Sequence, residues 1–341
     1  MRCVLLLGIC LFGVLEGSAT ALHLLIWPDY IPQEVVQGFA AQEGVEVVIH
    51  TFESPEEALS ILRAGGGKVY SVVVIPDCYV LPLVREGVIG PLDLELIPHR
   101  ANLDPLFLFP PYDPLGIYSV PYLWGTTGLA YRSDLVEEII DSYAVLFDLR
   151  RQIGSFLLLD DMRETIGAAL RYLGYSANTI RTEALDKAKA LLLSAKARSQ
   201  GFASSAEAIE RLLAGEVVVA LVYSGDVLFA SDPRLFYVIP AEGGTIWVDV
   251  LVVPQAAPLR ELAHRFINYL LMPEVAAAVS NYTRYATPVA AALPFVAPDL
   301  SLNPIVFPPA EVLARLEYLL DLGEDLNMYE EIWQALKAEQ P

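Results

Sequence analysis

The sequence predicts an α/β fold built from two doubly wound lobes. Strand and helix patterns alternate along the chain, and its 341 residues are enough for two separate cores. Tyr70 to Ile75 also forms a continuous apolar, β-branched run, as expected of a strand buried on both faces.

Leu22 to Trp27 reads as the first strand, followed by a helix from about Gln33 to Glu43 that Gly44 ends. Val45 to Phe52 is the next strand. Ser54 then supplies an N-cap, Pro55 the first helical position and Glu57 the far side of a capping box. The strand at Tyr70 leads to a helix that runs into Glu86-Gly87. Leu106 to Gly116, rich in proline and aromatics, reads as an irregular surface connection. Ser119 to Arg132 is one long extended segment, and a helical pattern resumes at Ser133. Further strands are expected at Ser155 to Leu159, Val217 to Tyr223, Leu235 to Ile239 and Ile246 to Val253. Helices are expected near 161–174, 184–196, 205–214, 258–271, 273–281, 309–321 and 327–339.

The formal net charge of -20, from 42 acidic and 22 basic residues, sets the sign of a ligand without identifying one. So acidic a chain repels nucleic acid and anionic lipid and attracts cations, although the same charge also serves solubility. Residues 1–21 have the form of an export signal: Arg2, an apolar run from Val4 to Leu15, and the small-x-small Ala19-Thr20-Ala21. The run is too short to span a bilayer. Ile9 before Cys10 disfavours lipid attachment, so a soluble, extracytoplasmic product is expected. Removing the leader takes Cys3 and Cys10 with it, and Cys78 alone makes neither an internal disulfide nor a thiolate cluster. His23, His50, His99 and His264 lack ligand spacing. No cofactor or metal is expected.

From Trp27-Pro28-Asp29-Tyr30 onward the chain resembles the periplasmic spermidine/putrescine-binding proteins of ABC transporters. Matching blocks follow at Thr51-Phe52-Glu53-Ser54, Tyr118 to Gly125, Leu157 to Glu164, Leu173-Gly174-Tyr175-Ser176, Glu242 to Asp249 and Tyr285-Ala286-Thr287-Pro288. The likeness ends near Tyr329-Glu330-Glu331. It implies the type II periplasmic binding protein fold, in which two α/β lobes close on a ligand by a hinge. It also implies chain crossings near 125–128, 244–248 and 293–297. One lobe would then hold 22–125 and 248–293, and the other 128–244 and 297–341. The implied partners are a polyamine and the membrane permease, with no nucleic acid and no catalysis.

A polyamine site needs carboxylates for its ammonium groups and aromatic walls for its methylenes. Trp247 and Asp249, two apart on a strand, face the same way; the spacing equally fits a packed Trp beside an exposed Asp. Asp161 and Glu164 follow a strand and also read as a capping box. Trp27 and Tyr30 follow the first strand, where α/β folds bind ligands but where aromatic pairs also simply pack. The resemblance makes all six ligand-binding and adds Tyr223 and Tyr285, and Asp77 is a further candidate carboxylate. Asp160 is the less favoured carboxylate of its pair. The chain departs from the family at Pro28, Pro76, Cys78 and Leu319, where neutral polar or aromatic contacts are expected. Two rivals remain. One is a binding protein of the same fold for an amino acid derivative, thiamine or ferric ion, for which Tyr282 and Tyr285 give only part of a site. The other is a hydrolase using Asp161 and Asp249, although Ser224 lacks nucleophile-elbow spacing and a His to serve it.

Overall fold

The computed structural model describes residues 21–338, so the expected leader lies outside the described residues up to Ala21. Ten strands form one continuous curled sheet: β1 (Ala21–Ile26), β2 (Glu46–Thr51), β3 (Val72–Pro76), β4 (Ser119–Arg132), β5 (Phe156–Leu159), β6 (Phe202–Ala203), β7 (Val219–Tyr223), β8 (Leu235–Val238), β9 (Gly244–Val252) and β10 (Leu316–Tyr318). Their order is β2-β1-β3-β9-β4-β7-β5-β6, with β10 on β9 and β8 on β4. β1 pairs in parallel with β2 and β3, and β5 with β6 and β7, each group joined by helices as in doubly wound folds.

The two groups share β4 and β9, which run antiparallel from Ser119↔Val252 to Thr127↔Thr245. β4 then continues alone into the second group, pairing with β7 from Thr127↔Tyr223 to Tyr131↔Val219. Every residue of β4 is buried. Pro121 has no N–H for a ladder, and the register slips between Pro121 and Leu123 as a bulge that accommodates it.

Two lobes follow from the packing. One core is drawn from residues between Leu22 and Trp124 and between Ile246 and Val306. The others are drawn from residues between Leu129 and Tyr237, with Tyr329, Ile332 and Leu336 returning from the C-terminal helix. Leu300 and Val306 pack into the first core, whereas the expected boundary at 297 assigns them to the second lobe.

Local signals place most helices where expected. Ser54 Oγ accepts the Glu57 N–H at 3.2 Å and opens Pro55–Arg63. Three expectations fail. No helix follows Ser133 until the single turn Ala144–Phe147, because Arg132 grips Asp134 in a turn, at 2.7 Å from both Nε and Nη2, and Ile139 is left exposed. The helix expected over 309–321 shrinks to Ala310–Leu313, since Leu316 to Tyr318 pair with β9 instead. The connection at Leu106 to Gly116 is irregular but not superficial. Phe107, Tyr112 and Asp113 are buried, and Asp113 Oδ2 accepts from the Tyr118 and Ser119 N–H groups, at 2.9 Å each.

Candidate functional site

The shared strand β9 carries the centre of the site. Trp247 and Asp249 project from one face of it, and the indole lies across Gly125 of β4. A Cβ at Gly125 would stand 2.4 Å from the Trp247 ring, so only glycine leaves that space. Rings from both lobes surround the indole edge to face. Tyr285 stands 5.1 Å away on one side, Tyr223 stands 5.8 Å away on the other, and Tyr30 extends the row, 6.0 Å from Tyr285. Trp27 lies against Phe52, at 4.4 Å, with its indole N–H close enough to Asp249 to lower that carboxyl's pKa.

Carboxylates line this aromatic row. The Tyr30 hydroxyl donates to Asp249 Oδ2 at 2.7 Å, and Tyr122 fixes the Tyr30 loop by donating to its carbonyl at 2.7 Å. Asp161 caps the helix Met162–Tyr172 with Oδ1, accepting the Glu164 N–H at 3.0 Å, while Oδ2 accepts the Tyr223 hydroxyl at 3.2 Å. Asp161 therefore caps the helix with one oxygen and turns the other to the aromatic row. Glu164 does not close a capping box, because its carboxylate takes the Thr245 hydroxyl instead. Asp77 follows β3, whose last residue Pro76 stands opposite Asp249.

Glu164, Asp249 and Asp77 are 3%, 7% and 2% exposed, and Asp161 is half-buried. Among the described residues none of the four has a Lys, Arg or His within ion-pair distance. Arg163 is nearby but directed elsewhere, donating to the Leu320 carbonyl and to Asn178. Burial, then the charge of Asp161, pushes Glu164 up to about 8. Burial pushes Asp249 up to about 6 against the Tyr30 hydrogen bond, and it raises Asp161 and, far more, Asp77. Asp160, by contrast, is paired with Lys337.

All nine expected site residues border this region, with Trp27 at its edge. Asp226 is a residue that sequence reasoning passed over. It accepts the Tyr285 hydroxyl at 3.0 Å from the other lobe, and its only signal was its place after Ser224-Gly225. Of the departures, Cys78 is a half-buried free thiol, pushed well up by burial and the Asp77 charge, and Leu319 is buried. Ser224 accepts the Thr126 N–H at 3.3 Å, and all four histidines are engaged elsewhere: His23 with His50, His99 with Asn268, His264 with Asp93. A shallow depression lined by Asp141, Ser142, Arg150 and Arg151 contains none of the site residues.

Residues 34–308 match the family model described as bacterial extracellular solute-binding protein. The chain is 33% identical to the spermidine/putrescine-binding periplasmic protein of Escherichia coli over 320 residues, covering 93% of this chain and 91% of that protein. It is 35% identical to a putrescine/agmatine-binding protein of Pseudomonas aeruginosa over 320 residues, covering 88% of this chain and 87% of that one. Its structure is similar to that of a spermidine/putrescine ABC transporter substrate-binding protein from Streptococcus pneumoniae, with a TM-score of 0.85 and 26% identity, covering 94% and 99% of the two chains. Among the described residues no helix is long and apolar enough to cross a membrane. A two-lobed fold, a site of unpaired carboxylates between the lobes and these matches agree: the chain belongs to the bacterial extracellular solute-binding protein family, whose members bind solutes for ABC transporters and are not enzymes.

Proposed function

We propose that the protein is the extracytoplasmic binding component of an ABC transporter for polyamines, and that it traps the ligand between its lobes and passes it to the permease. One observation carries the reading: four carboxylates gather beside a row of aromatic rings, and among the described residues none has a protein cation within ion-pair distance. Buried anions are costly unless paired, and an alkylammonium chain supplies the missing charges while its methylenes lie on the rings. Asp249 with Tyr30 receives one ammonium, and Asp161 with Glu164 receives another. Trp27, Tyr223, Trp247 and Tyr285 form the walls, and Asp77 adds a further carboxylate. The names of the relatives point the same way.

In this reading residues 1–21 are an export signal and the product works outside the cytoplasm. The crossings near 125–128 and 244–248 are the hinge, and the third crossing follows Val306. Titration calorimetry with putrescine, spermidine and agmatine tests the reading. At least one amine binds with an affinity that amino acids and thiamine do not approach, and at about 100 times its Kd it adds roughly 2.7 kcal/mol of stability. A chain that binds none of the three at millimolar concentration is not a polyamine receptor.

A further inference from the structure

The strand β10 and the turn after it are bolted to the second lobe. Glu317 accepts from Arg171 of the helix Met162–Tyr172 at 2.5 Å, from the Ser176 hydroxyl at 2.7 Å and from the Ala177 N–H at 2.9 Å. Asn178 brackets the next residues, donating to the Tyr318 carbonyl at 2.8 Å and accepting the Leu320 N–H at 2.7 Å. Arg163 donates to the Leu320 carbonyl at 3.0 Å, and Leu322 packs against the core that Tyr329 and Ile332 join. Asp321, between these two leucines, has a fixed place on that lobe, and its Oδ1 accepts the Gly323 N–H at 3.0 Å.

The other oxygen of Asp321 reaches across to the first lobe. Oδ2 lies 2.6 Å from Arg85 Nη2, at the end of the helix Val80–Arg85, whose Val80 and Leu83 belong to the first core. With β10 counted in the second lobe, every other ion pair among the described residues stays within one lobe. The neighbouring Glu86 does not compete for Arg85, because Arg63 holds both of its oxygens, at 2.6 and 2.8 Å. The Asp321 side chain is only 14% exposed, so the pair is screened less than two charges in open water.

Both ends of this pair trace back to the site. The helix ending in Arg85 continues the turn Asp77–Tyr79 that follows β3. Arg163, which holds Leu320, lies in the first turn of the helix that Asp161 caps. An ion pair whose partners sit on different lobes exists only when those lobes are together, so it adds to the population of the closed form. A larger closed population tightens every ligand of that form by the same factor. We infer that Arg85 and Asp321 form an interlobe latch, which holds the cleft shut from outside the ligand pocket and sets affinity without setting specificity. The inference rests on the lobe closure proposed above and adds a contact to it that no ligand touches.

Calorimetry with putrescine and spermidine, and small-angle scattering of the ligand-free protein, test it on Arg85→Gln, Asp321→Asn and the double variant, each checked for native circular dichroism. Each single variant weakens both amines by the same factor, about two- to fivefold, the range of a partly exposed ion pair. The double variant is no worse than either single one, as for two groups that act only through each other. The radius of gyration of the ligand-free protein rises in all three. Losses that add in the double variant, losses that differ between the two amines, or an unchanged radius in both single variants each overturn the latch while the polyamine reading stands. A wild type that binds neither amine removes the polyamine reading and leaves the radius to decide the latch.

Discussion

The Tyr285 hydroxyl donates to Asp226 Oδ1 at 3.0 Å, and this bond links the lobe containing β1 to the lobe containing β7. It forms because residue 225 is glycine. A Cβ there would lie 2.0 Å from the Tyr285 ring, well inside contact distance. Gly225→Ala therefore holds the lobes apart. Polyamine affinity falls by about tenfold or more, and small-angle scattering with saturating ligand shows a larger radius of gyration than the wild type. Tyr285→Phe keeps the ring and removes only the bond, at a cost of roughly 1–3 kcal/mol of binding. A closed, tight-binding Gly225→Ala protein would show that this contact does not govern closure.

Binding strengthens as the pH rises. An alkylammonium with a pKa near that of lysine, about 10.4, stays charged through neutrality, whereas Glu164 ionises only near 8 and Asp249 near 6. Affinity accordingly climbs between pH 5.5 and 8.5, and capture at pH 7 expels protons. Calorimetry in phosphate and in Tris, which differ in ionisation enthalpy, then gives different observed heats. Identical heats in both buffers would mean that Glu164 is already ionised before the ligand arrives.

The unliganded protein has the opposite pH dependence. The folded-state pKa values of Glu164 and Asp249 lie above the ordinary values of 4.5 and 3.8, so the native state binds more protons than the unfolded chain. That stability is fully present below about pH 4 and is lost as the pH rises through 6 and then 8. Urea midpoints of the free protein thus fall from pH 5 to pH 8.5, and Glu164→Gln flattens the slope.

Asp249→Asn and Asp160→Asn separate the two kinds of carboxylate. The first removes the buried anion proposed to meet an ammonium and weakens polyamine binding by about 100-fold, in line with roughly 3 kcal/mol for a charged hydrogen bond. The second removes a half-exposed partner of Lys337 and changes affinity by less than about threefold. Comparable effects, read by calorimetry, would mean that the ligand lies elsewhere.

Asp113 is a stability residue rather than a site residue. It is 1% exposed, and its Oδ2 holds two backbone N–H groups and the Ser119 hydroxyl at the start of β4. Asp113→Ala leaves those donors buried and unpaired and lowers unfolding stability by roughly 2–4 kcal/mol, measured by chemical denaturation. Polyamine affinity, measured where the variant is still folded, changes little.

What could be seen in the sequence was what neighbouring residues decide. The helices Gln33–Glu43 and Pro55–Arg63 were legible from caps and periodicity, and β4 as one long extended segment. Alternation along β9 put Trp247 and Asp249 on one face before any partner was known. Partners distant in sequence were not legible. The strand Leu316 to Tyr318 has a helical pattern until β9 is set beside it, and Asp226 has no meaning until Tyr285 arrives from the other lobe. The double duty of Asp161 was open to local reasoning as two alternatives, and only the Tyr223 hydroxyl joins them.

In the proposed receptor, the sharing of β4 and β9 by both lobes puts recognition and movement on the same piece of backbone. Trp247 and Asp249 are fixed to the ribbon that has to flex when the lobes part, and Gly125 lies beneath the indole on its partner strand. Opening therefore does more than uncover a finished pocket: it turns the floor of the pocket away from its walls. A substitution that stiffens this ribbon will change the release rate and the affinity together. Evolution toward a new cargo is then easier at the walls, at positions such as Tyr223 and Tyr285, than on the joint itself.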